Sequence, residues 1–196
     1  MVDQRITSIV HSGKIAVDLG CGAGELLDYI TQFYEVLIGI DISAKRLSRR
    51  AQAPQDWSFV RANLNIPFPL NSKHIDTIYA NQVIEHIDDP LLFASEVHRV
   101  LKPGGIVIVT SPNIRYIKHI WRLVIEGLGP KTANQNTLDG MWDDGHIHYF
   151  THNDLRQIFL DAGFKNVESK ALINLTGKMS RLRTLFDFYS KSFLIT

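Results

Sequence analysis

Short apolar runs alternate along the chain with stretches that are apolar on one side only. The runs are Ile15-Ala16-Val17-Asp18-Leu19, Val36-Leu37-Ile38-Gly39-Ile40, and residues 57–61, 75–80 and 106–110. Each has the length of a strand, and their apolar character suits strands covered on both faces. Between them the spacing becomes helical. Leu26, Leu27 and Ile30 share one side of a helix ending near residue 33. Ser43 is placed to cap a helix reaching about residue 50, and Pro90 opens another carrying Leu91, Leu92, Val97 and Val100. This alternation predicts an α/β fold: a doubly wound, mostly parallel sheet with helices on both faces.

The remaining segments fit around that frame. Residues 1–13 read as a lead-in helix or turn whose Ile6, Ile9 and Val10 cover a sheet edge. Ile66-Pro67-Phe68-Pro69-Leu70 is a loop broken by proline, and Leu101-Lys102-Pro103-Gly104-Gly105 is a turn ahead of the fifth strand. Residues 114–127 read as a helix. Ile117, Ile120, Trp121, Val124, Ile125 and Leu128 form its apolar side, expected to cover the sheet, with Arg115, Lys118, His119 and Arg122 elsewhere on it. Its mixture of basic and apolar residues, shared with the C-terminal tail, also suits docking to a membrane surface. The polar residues 129–145 form a loop or lid. Thr151 with Asp154 makes a capping box for a helix ending at Ala162-Gly163. Residues 164–171 follow as a sixth strand, and a last strand lies around Phe193-Leu194-Ile195. The length fits one domain, residues 1–196, with a lid or acceptor-binding insertion at about 113–150.

Chemistry concentrates at the ends of the strands. Gly20, Gly22 and Gly24 follow the first run and precede a helix, so backbone there can turn sharply and approach a ligand closely. A dinucleotide fingerprint needs its third glycine at the position of Glu25. An acid at that helix start also opposes a docked pyrophosphate. The loop therefore suits a nucleoside without phosphates better than NAD. Asp41 ends the second strand, where an acid in a doubly wound fold accepts hydrogen bonds from ribose hydroxyls; a role at its own helix N-terminus is the alternative.

Several of these junctions resemble one family. Asp18-Leu19-Gly20-Cys21-Gly22-Ala23-Gly24, Ala80-Asn81-Gln82-Val83-Ile84-Glu85-His86 and the Leu101–Gly105 turn are similar to motifs of class I S-adenosyl-L-methionine (SAM) methyltransferases. The likeness spans residues 14–111 and, less fully, 146–165. It implies a Rossmann-like sheet of seven strands, the last antiparallel, with SAM as cofactor and S-adenosyl-L-homocysteine as product. It places Asp18 near the amino-acid end of SAM, with Gly20, Cys21, Gly22 and Gly24 around it. Asp41 takes the ribose, with Ile42 beside it. The family commonly has an acid at Asn63 that reads the adenine amino group; an amide there accepts without charge assistance. Leu64 lies near the ring, and Asn81 and Gln82 face cofactor and acceptor.

Methyl transfer from a sulfonium is an in-line displacement that needs alignment and exclusion of water more than an activated nucleophile. A hydroxyl acceptor gains from a base, and His86, His146 and His148 are the candidates, with ordinary packing or helix-entry roles as the alternative. A metal set of Asp143, Asp144, His146 and His148 is conceivable, but no metal is expected. The acceptor is expected to be a small molecule offering oxygen: a sugar, a lipid-linked saccharide or a quinone precursor. The competing classes are an NAD oxidoreductase and a SAM-binding scaffold or regulator without catalysis.

Composition narrows the partners. A net charge of +1 gives no basic excess for nucleic acid. Cys21 is the only cysteine, which rules out an intramolecular disulfide and a cysteine-based zinc site and fits a reducing cytoplasm. No apolar run reaches the ~18 residues of a membrane span. A cytoplasmic protein is expected, with contact at a membrane surface as the second reading and no expectation of oligomeric state.

Overall fold

The computed structural model describes residues 10–50, 54, 57–127, 145–171 and 192–195. Five strands run parallel: β1 (Gly13–Leu19), β2 (Tyr34–Asp41), β3 (Trp57–Arg61), β4 (Ile75–Asn81) and β5 (Leu101–Pro112). Beyond β5 lie two short strands, β6 (Ser169–Ala171) and β7 (Ser192–Ile195), with β7 antiparallel to both neighbours. The order is β3-β2-β1-β4-β5-β7-β6. It reverses between β1 and β4, and such a reversal opens a crevice at the carboxyl ends of these strands. The helices are α1 (Glu25–Ile30), α2 (Ala44–Leu47), α3 (Pro90–Val100), α4 (Ile117–Trp121) and α5 (His152–Asp161).

The strand period of two divides the core. Ala16, Leu37, Tyr79 and Ile108 face α1 and pack on Leu26, Leu27 and Ile30. Val17, Ile78, Val107 and Val109 face the other way, onto Phe93, Val97 and Val100 of α3 and Leu155 and Phe159 of α5. Phe93 and Phe159 are buried, and truncating either to alanine costs about 3–5 kcal/mol. This is the doubly wound arrangement that the alternation of runs predicts.

Caps and clamps fix the connections. Ser43 Oγ accepts from Arg46 N, Asp89 caps α3 through Leu91 N and Leu92 N, and Thr151 and Asp154 complete the capping box of α5. Glu96 on α3 holds the proline loop: its Oε2 accepts from Phe68 N at 2.7 Å, and Arg99 ties the same carboxylate to the Phe68 and Leu70 carbonyls.

Three expectations change. The turn at 101–105 is an excursion inside β5, since Ile75 pairs with Leu101 and Thr77 already with Ile106. The strand of 164–171 shortens to β6. Phe164 N instead closes on the Phe159 carbonyl, and the Phe164 ring packs against Phe159 and His98. The helix of 114–127 starts only at Ile117, because Ile114 N donates to the Phe150 carbonyl and Arg115 N to Asn113 Oδ1. It then continues as a π-helical turn over Arg122–Glu126. The wider turn breaks the 3.6-residue phase. Trp121, Val124 and Ile125, expected to cover the sheet, are exposed, as is Leu123. Of the other expectations, Ile6 and Ile9, the stretch 129–144 and most of the C-terminal tail lie outside the described residues.

Candidate functional site

The glycine loop sits on the ends of β1 and β2. Gly20, Gly22 and Gly24 all have positive φ, and a Cβ at Gly20 would stand 2.4 Å from Val83 Cγ2. Gly20 N and Cys21 N both donate to the Ile40 carbonyl, at 2.7 and 3.0 Å. Asp41 fastens the other side of the loop. Its Oδ2 accepts from Gly22 N at 2.9 Å and its Oδ1 from Ser43 N at 2.7 Å. A carboxylate oxygen has two lone-pair sites, so each still has one for a ligand hydroxyl.

An open cleft of about 140 Å³ lies over this loop, lined by Asp18, Gly20, Cys21, Gly22, Glu25, Leu26 and Asn81. Asp18 is buried at its base. Burial, then the carboxylates of Asp41 and Glu25, push the Asp18 carboxyl well above its ordinary range. Three acids here suit a ligand that brings positive charge and oppose a phosphate. Burial also pushes the Cys21 thiol far up, followed by Asp18 and Asp41, so it is no nucleophile.

The adenine candidates lie on neighbouring strand ends. Ile42 is 61% exposed beside Asp41, and its carbonyl accepts from Arg61 Nε at 3.1 Å. Asn63 is exposed, and its Oδ1 already accepts from Asn65 N at 3.0 Å, leaving the oxygen one further lone pair. Leu64 is half-buried against the core.

At the end of β4, Thr110 organises two of the expected residues. Its hydroxyl donates to Asn81 Oδ1 and accepts from Gln82 N and Gln82 Nε2. Gln82 has φ of 57°, which turns the chain out of the strand. A single 3-10 turn, Ile84–His86, follows.

Glu85 in that turn is the residue that the sequence reading missed. Its side chain is fully buried, and neither carboxylate oxygen completes a hydrogen bond of normal geometry. Burial pushes the carboxyl up to about 7, against partial relief from its own backbone N–H and the Ser111 hydroxyl. The chain at 145–148 folds over it: Ile147 N and His148 N both donate to the Glu85 carbonyl, at 3.0 and 3.1 Å. His146 Nε2 comes to 4.0 Å from Glu85 Oε1. His86 Nδ1 lies 3.1 Å from the Gly145 carbonyl, and its ring packs edge-on to His146 at 4.7 Å between centroids. His148 Nε2 is 3.4 Å from the Asp88 carbonyl, and its ring stacks on Phe150. The structure therefore gathers His86, His146 and His148 along Glu85–Asp88, although 146 and 148 lie on no regular strand. One signal in the sequence hints at Glu85: an acid directly behind the apolar pair Val83-Ile84. Asp143 and Asp144, considered with His146 and His148 for a metal, lie outside the described residues. Among the described residues no helix is long and apolar enough to cross a membrane.

Known proteins match this architecture. The family profile described as a methyltransferase domain covers residues 5–169. A probable S-adenosylmethionine-dependent methyltransferase of Mycolicibacterium smegmatis is 34% identical over 103 residues, 52% of this chain and 39% of that protein. A ubiquinone biosynthesis O-methyltransferase of Rhodopseudomonas palustris is 30% identical over 108 residues, 52% of this chain and 41% of that protein. The chain thus spans about two-fifths of the length of these relatives. A SAM-dependent methyltransferase of Mesorhizobium loti, known as a crystal structure, shares the fold with a TM-score of 0.69 at 19% identity, over 94% of this chain and 90% of the other. With the strand order, the glycine loop over an acid-lined cleft and a profile that spans most of the sequence in agreement, the chain belongs to the class I SAM-dependent methyltransferase family, which has a Rossmann-like fold and SAM as its cofactor.

Proposed function

We propose that the protein transfers the methyl group of SAM to a hydroxyl oxygen of a small-molecule acceptor. The observation that carries this reading is the closeness along one strand end of two half-sites. Asn81 lines the acid-bottomed cleft, and four residues on, the buried Glu85 has His146 Nε2 at 4.0 Å, with the His86 and His146 rings 4.7 Å apart. In this reading the positively charged methionine end of SAM lies toward Asp18, the ribose hydroxyls meet Asp41, and adenine lies by Ile42, Asn63 and Leu64. Asn81 and Gln82 border the methyl group. The acceptor oxygen attacks from the histidine side. The O–CH3 bond forms as the S–CH3 bond breaks, S-adenosyl-L-homocysteine leaves as a neutral thioether, and the hydroxyl proton passes to a base in the wall formed by His86, His146 and His148.

Oxygen as the acceptor atom is supported by the O-methyltransferase among the relatives, and a quinone precursor, sugar or lipid-linked saccharide suits that chemistry. Residues 113–150 are assigned to acceptor binding within a single domain. The protein is placed in the cytoplasm. A lipid-linked acceptor would bring the exposed Trp121, Leu123, Val124 and Ile125 to a membrane surface, and co-sedimentation with vesicles reads this out.

Transfer of a labelled methyl group from SAM into fractionated extract tests the reading, together with calorimetric titration of S-adenosyl-L-homocysteine. Labelled product in one fraction is expected. Binding of S-adenosyl-L-homocysteine with no transfer into any fraction makes the protein a SAM-binding regulator. Stabilisation by NAD alone refutes the cofactor assignment.

A further inference from the structure

We infer that Glu85, His86 and His146 form a site for a divalent transition-metal ion of the zinc class on the acceptor side of the cleft. This inference deepens the methyl-transfer reading; it rests on that reading for what the ion does, not for whether it binds.

The three residues each offer one ligand atom, and these atoms lie within 4.8 Å of one another. Nitrogen and oxygen ligands stand ~2.0–2.2 Å from zinc, and tetrahedral angles then separate them by roughly 3.3–3.6 Å. Closing the set therefore needs a contraction of roughly 1 Å, within the reach of side-chain rotation. The backbone that carries the ligands is already assembled. Glu85 and His86 share one 3-10 turn, and His146, some 60 residues later in sequence, is held beside them by the hydrogen bonds of Ile147 and His148 to the Glu85 carbonyl.

The strongest pointer is the Glu85 side chain. It is fully buried, and neither oxygen completes a hydrogen bond of normal geometry, with only partial relief from the Ser111 hydroxyl and its own backbone N–H. Leaving an ionised carboxylate in that state costs several kcal/mol, and a directly bound cation removes the cost. No lysine or arginine ion pair to it is present among the described residues, and its neighbour across the gap is an imidazole. His86 adds a second pointer. Its Nδ1 donates to the Gly145 carbonyl, which leaves the lone pair on the other ring nitrogen. Metal-ligating histidines are oriented in this way, with one N–H given to a backbone carbonyl. Two imidazoles and one carboxylate favour zinc, iron or nickel over magnesium or calcium, which take oxygen ligands.

Three protein ligands leave a coordination position open. In the proposed reaction that position takes the acceptor hydroxyl, and a metal-bound hydroxyl loses its proton more readily. His86 and His146 are then ligands, and His148 remains as the imidazole free to receive the proton.

Chelator-stripped protein titrated with Zn2+ by calorimetry, and with Co2+ by visible absorption, tests the site. The wild type is expected to bind one ion, with a Co2+ spectrum of low coordination number. Glu85→Gln and His86→Ala are each expected to weaken binding at least tenfold, while His74→Ala, an exposed histidine elsewhere, leaves it unchanged. His86 is exposed, so His86→Ala keeps the test valid if Glu85→Gln does not fold. Equal Zn2+ affinity in wild type and His86→Ala overturns the site, as does an equal loss in His74→Ala. S-adenosyl-L-homocysteine is titrated in parallel. Retained cofactor binding without a metal difference removes the metal and leaves the methyl-transfer reading standing. One bound ion in a protein that methylates nothing supports the site and counts against that reading.

Discussion

Asp41 clamps the glycine loop and, in the proposed reading, also takes the ribose hydroxyls; replacing it separates the two roles. In Asp41→Ala, Gly22 N and Ser43 N both lose a carboxylate acceptor, at 2.9 and 2.7 Å. Hydrogen bonds to a charged group are worth about 1.5–3 kcal/mol each, but water reaches part of this region and recovers some of the loss. A net destabilisation of about 1–3 kcal/mol is expected. The second role is ligand binding. A carboxylate that takes ribose hydroxyls contributes about 1.5–3 kcal/mol to binding, which weakens affinity roughly ten- to 150-fold when it is lost. Loosening of the glycine loop acts in the same direction, so the upper half of that range is expected. Asp41→Asn keeps one side-chain carbonyl for one of the two N–H groups and should fall between wild type and alanine on both scales. Calorimetric titration of S-adenosyl-L-homocysteine gives the affinity, and urea denaturation gives the stability. An Asp41→Ala protein that is folded, destabilised as expected and unchanged in affinity removes Asp41 from the binding site. One unchanged in stability refutes the clamp as well.

Gly39 lies in β2 where a Cβ would meet Cys21 Sγ and two ring carbons of Phe59, each at 2.8 Å. Gly39→Ala should cost about 1–3 kcal/mol in urea denaturation and weaken cofactor binding by shifting Cys21; a wild-type midpoint refutes the packing account. Burial raises the Asp76 carboxyl, but the Lys102 ammonium at 2.6 Å and the backbone N–H of Ile15 outweigh it and hold the group below its ordinary value. With the folded value depressed, this stabilisation is present above the unfolded carboxylate range near pH 4 and is lost as pH falls through the folded value. Asp76→Asn should therefore lose about 0.5–1 kcal/mol at pH 6 and close to nothing at pH 2, and an equal loss at both refutes the ion-pair account. Glu96→Ala leaves the buried Phe68 N without its acceptor and should cost about 1–3 kcal/mol in thermal or urea unfolding; a neutral outcome refutes the clamp on the proline loop.

Strands β1 to β4 and helices α1, α2, α3 and α5 were readable because each is announced locally. The runs at 15–19, 36–40 and 75–80 are apolar on both faces, and Ser43 and Thr151 sit one residue before the helices they cap. The glycine loop was equally legible, since alternating glycines behind an apolar run mark a sharp turn through positive φ that other residues rarely adopt. Glu85 was not. The chain that folds over it, residues 145–148, lies some 60 positions away, so the local window offers only the weak signal of an acid behind Val83-Ile84. The 114–127 segment failed for a related reason. Its periodicity is helical, but the contact of Asn113 and Ile114 with Phe150 takes the first turn away. The π-helical turn then rotates the apolar side out of the phase that the pattern implies. In both places a partner distant in sequence decides the outcome, and hydrophobic spacing carries no record of it.

Thr110 is 1% exposed, and its hydroxyl has one proton to give and two lone pairs to fill. It spends the proton on Asn81 and fills both lone pairs from Gln82. No valence is left for a ligand. Thr110 therefore has nothing to offer a ligand; it sets the angle at which Asn81 and Gln82, proposed to border the methyl group, stand. Valine has the same shape and strips all three bonds at once, while serine keeps them and loses only a methyl group. The identity of a residue that touches no substrate is thus restricted to a hydroxyl, and the ends of β4 and β5 are held in one orientation before any ligand arrives.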